Sequence, residues 1–323
     1  MSQISFADAE YAGKRKKTRR EVFLEEMEVV VPWAVLLKII EPHYPVAGRG
    51  RRPYALESML RVHLMQNWFA LSDPAMEEAL YEIASLRSFA RLSLNDAIAD
   101  ETTILNFRHL LEANDLAEDM LKAINALLAR KGLLLKRGSI VDATIIAAPS
   151  STKNEKRERD PEMHQAKKGQ QYFFGMKAHI GVDAESGLVH TVTTTAANEA
   201  DVTQVADLLH GKERQVWADS GYRGAASRVD RDIEWHIAAR PTDIARMPEG
   251  KARERVRKHE HRKASVRAKV EHPLRVIKRQ FGLVKVRFKG LAKNTAQLFT
   301  LFALLNLWMA RRQLMGQVRP KTA

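Results

Sequence analysis

The chain has 323 residues, long enough for two ordinary domains or one large one, and contains no cysteine. That excludes a disulfide framework, a catalytic thiol and a cysteine-based zinc finger, so any metal must sit on oxygen or histidine. A formal net charge of +14 favours a polyanionic partner, nucleic acid first, over the alternative that the charge serves only solubility.

The first 20 residues are polar and basic, with a charge run from Lys14 to Arg20, and read as a flexible arm (1–20) that is either solvated or grips DNA. They hold no apolar core of signal-peptide length, so a cytoplasmic, nucleoid-associated protein is expected. Residues 21–135 read as a helical domain. Pro53 can open a helix whose Leu56, Leu60, His63 and Leu64 share one face, which should be buried. Asp73 before Pro74 reads as an N-cap with proline at the first helical position, leading into Met76, Leu80 and Ile83. Asp100 caps a helix through Ile104, Phe107 and Leu111, and Gly132 ends the helix that carries Leu127 and Leu128.

After Gly138 the pattern changes to short runs rich in Val, Ile and Thr: SIVDATIIA, GMKAHIGVD, LVHTVTTT, QVWAD and IEWHIAA. These read as strands. A helix is predicted between the third and fourth, where Val202, Val205, Ala206 and Leu209 recur, and another after Gly224. The order β, β, β, α, β, α, β, followed by a basic helical region, predicts an α/β fold: a ribonuclease-H-like mixed sheet with flanking helices over 136–290, preceded by the all-helical domain. Ser150 to Gln171 is too polar to pack and should be a mobile loop, and residues 241–258 read as a second insertion. Leu298 to Met309 is nearly all apolar but too short for a bilayer and interrupted by Asn306. It reads as part of a C-terminal helix (291–323) packing on the core, with no membrane partner.

Asp142 lies inside an apolar strand and Asp219 ends another. A carboxylate in a core strand is costly unless it meets a cation or a hydrogen-bond donor. Either aspartate alone could cap a turn, as Asp219 before Ser220 and Gly221 could; together, on neighbouring strands, they point to a metal site. Hard divalent ions take oxygen ligands, and two of them about 4 Å apart can drive an in-line displacement at phosphorus. Glu271 is the third candidate, an acid in the basic run RKASVRAKVEHPLRVIKRQ. On an ideal helix Arg267 and Lys278 share its face, giving one metal ligand and two phosphate grips. The alternative is an Arg267–Glu271 ion pair on a solvated helix. Pro273 should kink or restart that helix. Arg51 and Arg52 in AGRGRR could wrap a phosphate or form an ordinary basic loop. Lys285, Arg287 and Lys289 alternate in VKVRFKG and would face one way on an extended chain, as a DNA-tracking stripe. His259 and His261 face different ways on a helix, and His179 and His190 read as satisfied sheet residues.

Over almost its whole length the sequence resembles bacterial insertion-sequence transposases of the IS-five group, within the DDE superfamily. The resemblance is carried by GRRPYAL at 50–56, ALYEIASLRSFARLSL at 79–94, VDATIIAAPSSTKN at 141–154, RDPEMHQAKKG at 159–169, FGMKAHIGVD at 174–183, ADSGYRG at 218–224 and VEHPLRVIKRQFG at 270–282. It implies a cut-and-paste DNA transposase with Asp142, Asp219 and Glu271 as catalytic and metal-holding acids. The implied cofactor is a pair of Mg2+ ions, for which Mn2+ can substitute. The helical domain 21–135 would bind the element's inverted-repeat ends, and the protein would act as a homo-oligomer on those ends and on target DNA. The arginine and lysine that flank the family's glutamate map onto Arg267 and Lys278. A tyrosine that opens this signature in a neighbouring family is replaced by Ala264. Tyr222 matches the aromatic after the second aspartate and reads as a packing residue rather than a covalent nucleophile. The other readings are a ribonuclease-H-like nuclease or resolvase that cuts without joining, and a DNA-binding protein with a silent catalytic core.

Overall fold

The computed structural model describes residues 16–48, 52–93, 95–135 and 137–318. They fall into two units: the described residues up to Ile124 with those from Ala303 onward, and Asn125–Phe302.

In the first unit, helix α1 (Arg19–Val30) starts at a reciprocal capping box. The Thr18 hydroxyl accepts from the Glu21 N–H, and the Glu21 carboxylate accepts from the Thr18 N–H. The tail of the predicted basic arm, Arg19 and Arg20, is therefore helical; residues 1–15 lie outside the described residues. Helices α2 (Trp33–Ile40), α3 (Leu56–Phe69), α4 (Asp73–Glu82), α5 (Ala84–Phe89), α6 (Glu101–Ala113) and α7 (Leu116–Arg130) follow, α7 running on into the second unit. The helix predicted after Pro53 begins at Leu56, and Leu60, His63 and Leu64 are buried on it. The α4 cap is Ser72 rather than Asp73, because the Ser72 hydroxyl takes the Ala75 N–H while Asp73 pairs with Arg108 at 2.7 Å. Asp100 caps α6 through Thr103, as its position predicts. Arg61 is 1% exposed yet satisfied: Glu28 and Glu57 bind its guanidinium, which lies 3.9 Å over the Trp33 ring.

The second unit holds one mixed sheet of β1 (Gly138–Ala147), β2 (His164–Lys168), β3 (Gln171–Asp183), β4 (Val189–Ala196), β5 (Gln215–Ala218) and β6 (Glu234–Ile237). Its path runs β2-β3-β1-β5-β6, with β4 also on β3. The β1–β3, β2–β3 and β3–β4 pairs are antiparallel, whereas β1–β5 and β5–β6 are parallel. Helices α8 (Pro241–Ala245), α9 (Lys251–Arg275) and α10 (Leu291–Val318) complete the chain, α10 passing from this unit into the first. This antiparallel-then-parallel sheet with helices is the ribonuclease-H-like order that the strand pattern predicts.

Three local expectations are corrected. The helix predicted around 202–209 is a 3-10 turn, Asp201–Gln204, followed by further turns, and the one after Gly224 is a 3-10 turn at Ala225–Arg228. Part of the supposed mobile loop is strand β2, hydrogen-bonded to β3 from His164 to Lys168. The second insertion contributes α8 and the first turns of α9. Among the described residues no helix is long and apolar enough to cross a membrane.

Candidate active site

Strand register brings the first two acids together. Val141 of β1 pairs with Ala218 of the parallel strand β5, so Asp142 and Asp219, one residue further along each, emerge side by side. Each is held by a backbone donor. Asp142 Oδ1 accepts from the Ala143 N–H at 2.8 Å, and Asp219 Oδ1 accepts from the Gly221 N–H at 2.8 Å while capping the turn Ser220–Tyr222. The turn-capping alternative for Asp219 thus holds without removing it from the cleft. In both residues the second carboxylate oxygen makes no hydrogen bond among the described residues.

The third acid arrives on α9. Arg267, Glu271, Leu274, Arg275, Lys278 and Arg279 line, together with Asp142, Ala143, Thr144, Lys168 and Asp219, an open cleft of about 390 Å³. Pro273 does not end the helix, which continues to Arg275 and is followed by a π turn, Val276–Gln280. Glu271 and Lys278 both line the cleft. No ion pair joins Arg267 to Glu271 among the described residues, so the solvated-pair alternative is not what α9 adopts. Lys278 Nζ donates to the Thr144 hydroxyl and, at 3.4 Å, to the Ile145 carbonyl.

The electrostatics are those of acids crowded in one cleft with no ion pair to any of them among the described residues. Burial pushes the Asp142 carboxyl up to about 6; the Ala143 hydrogen bond and Arg267 work against this, while Asp219 and Glu271 add to it. Lys278 is held below the usual lysine range, first by burial and then by Lys168, with Glu271 and Asp142 opposing. Three carboxylates with free oxygens and, among the described residues, no cationic side chain within 4.0 Å form an oxygen-only donor set that suits a hard divalent cation.

The cleft gathers Asp142, Asp219, Glu271, Arg267 and Lys278. It does not gather the rest of the expected DNA contacts. Lys285 and Lys289 are exposed and Arg287 half-buried on an extended segment after the π turn, where Lys285 forms an isolated bridge with Ala147. Arg52 is exposed in the first unit and Arg51 lies outside the described residues. Sequence reasoning missed Lys168, Arg275 and Arg279; Lys168 was hidden in a segment read as loop, whereas Arg275 and Arg279 stand four and eight residues after Glu271. Elsewhere His190, His210 and Glu213 keep ligand atoms within 4.8 Å of one another, a spacing that could hold a metal ion. Glu213 accepts from the His210 and Gly211 N–H groups and from Ser139, and His190 contacts Ser139 and Thr191. His179 is fully buried and held down to about 4 by desolvation, and His259 and His261 are exposed on α9.

Residues 134–307 match the family described as a transposase DDE domain, and residues 12–110 match a second, separately described transposase domain. Among solved structures, the cryo-EM structure of a piggyBac transposase synaptic complex with hairpin DNA is similar at a TM-score of 0.47 and 8% identity, over 94% of this chain and 78% of that one. With more than half of its length matched by the first family, the chain belongs to the DDE-domain transposases and is a DNA transposase.

Proposed function

We propose that the cleft is the centre at which this transposase cuts and rejoins DNA at the ends of a mobile element, with Asp142, Asp219 and Glu271 as its metal-holding catalytic acids. The observation that carries this reading is the convergence, in one open cleft, of three acids that have no ion-pair partner among the described residues and five cations, Lys168, Arg267, Arg275, Lys278 and Arg279. Membership in the DDE family implies dependence on a divalent metal; the oxygen-only donor set favours Mg2+, as two ions, with Mn2+ able to substitute. When bound, such ions supply an activated hydroxyl and stabilise the departing oxygen.

The chain's own residues do the positioning. Backbone donors fix the two aspartates so that each offers its second oxygen to the cleft, and Glu271 faces them from α9. The cleft cations bind and orient phosphate groups, and Arg51, Arg52, Lys285, Arg287 and Lys289 extend the grip on double-stranded DNA. The helical residues 21–135 bind the inverted-repeat ends, residues 136–290 carry the chemistry, and two ends require two chains, hence a homo-oligomer of IS-five type acting in the cytoplasm. The test is incubation with Mg2+, labelled inverted-repeat ends and target plasmid. Cleaved ends and joined product are expected; cleavage with no joined product would instead support a nuclease or resolvase.

A further inference from the structure

Apart from Lys168, the motif run RDPEMHQAKKG at 159–169 has no role in that reading. It leads into a two-stranded arm. The register of β3 with β1 stops at Gly175 opposite Ala147, and its register with β4 stops at Met176 opposite Ala196. From Gln171 to Phe173, β2 is therefore the only strand beside β3 among the described residues, and the arm projects past the rest of the sheet. The side chains of β2 are exposed or half-buried, so the arm has no core of its own, and a lone pair of strands is marginally stable in water. Its tip is nonetheless placed: Lys168, opposite Gln171, lines the cleft of the three acids. The base of the arm is fastened. Asp160 Oδ2 accepts from the Gly290 N–H at 2.7 Å while its Oδ1 accepts from the Glu162 N–H at 3.1 Å, and the Glu162 carboxylate accepts from the Leu291 N–H. These amides open α10, where the first N–H groups have no acceptor within the helix and acidic groups are favoured. The receiving side is fixed by the buried Asn294, which accepts from the Arg287 and Phe288 N–H groups and donates to the Phe288 and Gly290 carbonyls. Met163, between the acids and β2, is buried, and the Arg159 guanidinium lies 5.3 Å over the Phe174 ring.

We infer that Asp160 and Glu162 are positioning residues: by fastening the base of the β2–β3 arm to the start of α10, they hold Lys168 in the acid cleft, where it grips a DNA phosphate. The inference rests on the reading of that cleft as the DNA-processing centre. It predicts a sign that charge alone reverses. Two carboxylates on a DNA-binding protein repel phosphate, so by charge alone their neutralisation should tighten binding; as anchors, their loss should weaken it. Asn and Gln separate the two effects, because each removes the charge but keeps an oxygen that can accept from the same N–H, whereas alanine removes both.

The experiment reads the salt dependence of binding to a labelled duplex of the element's end, by fluorescence anisotropy. It compares the full chain with Lys168→Gln, with Asp160→Ala plus Glu162→Ala, with Asp160→Asn plus Glu162→Gln, and with the alanine pair combined with Lys168→Gln. Lys168→Gln is expected to lower the log–log slope by about 1. The alanine pair should lower it by the same amount and add nothing in the Lys168→Gln background, while the Asn and Gln pair keeps the wild-type slope. The inference is overturned if the alanine pair binds as tightly as the wild type, or more tightly, with an undiminished slope while Lys168→Gln shows its loss. A loss that the alanine pair shows in full on top of Lys168→Gln also overturns it, because the acids would then act elsewhere in the molecule. A wild-type slope for Lys168→Gln would instead remove the cleft reading of that lysine, and the anchor with it.

Discussion

A carboxylate in the middle of a strand leaves a measurable trace in the stability of the protein. The Asp142 carboxyl is pushed up to about 6 from an ordinary value of roughly 4, so between those values the folded chain holds a proton that the unfolded chain has released. Its contribution therefore favours the fold at low pH, is lost as pH rises from about 4 to 6, and stays lost above. In chelator, Asp142→Asn is expected to be more stable than the wild type above pH 6 by roughly 1–3 kcal/mol, with a flatter pH dependence between 4 and 6. Urea denaturation across that range measures it, and coincident curves would contradict it. At this scale the candidate site was largely legible: an acid inside an apolar strand, another closing one, and a lone acid in a basic run each break the local pattern. Lys168 was not legible, because a polar stretch such as 150–171 has no apolar alternation and its pairing comes from β3 rather than from its own composition.

At the scale of elements, the β pattern outran the helical one. Alternating and continuous apolar runs located five of the strands, yet Val205 and Leu208 are buried in the sheet-side core without a helix to carry them. A 3-10 turn and the turns after it bury residues three apart as well as a helix does, so hydrophobic spacing alone could not separate the two. The β1–β3 pairing that holds Asp142 is tight at Gly175, where an added Cβ would stand 2.1 Å from the Ile146 carbonyl oxygen. Backbone cannot yield there, so Gly175→Ala is expected to lower stability by about 1–3 kcal/mol in thermal denaturation; an unchanged melting temperature would contradict that packing. In the first unit the Thr18–Glu21 capping box gives a separate check. Thr18→Ala should cost about 1 kcal/mol, with no effect on chemistry at the acids.

Across the whole molecule, the net charge of +14 favoured a polyanionic partner, and the long motif runs pointed to the DDE superfamily, whose transposase domain residues 134–307 match. Composition could not place the charge, whereas the structure concentrates five cations around three acids. If those cations meet phosphates, DNA affinity should fall steeply with salt. Replacing Lys168 or Arg279 by Gln should reduce the log–log slope by about 1 each, an outcome that fluorescence anisotropy at several salt concentrations would read directly; an unchanged slope would place DNA elsewhere. The measurement closest to the central claim is Mg2+-dependent processing of labelled inverted-repeat ends by the wild type and by Asp142→Ala, Asp219→Ala and Glu271→Ala, each checked for retained DNA binding. All three variants are expected to bind ends but to cleave and join only at background, and wild-type cleavage by any one of them would contradict its place in the catalytic centre.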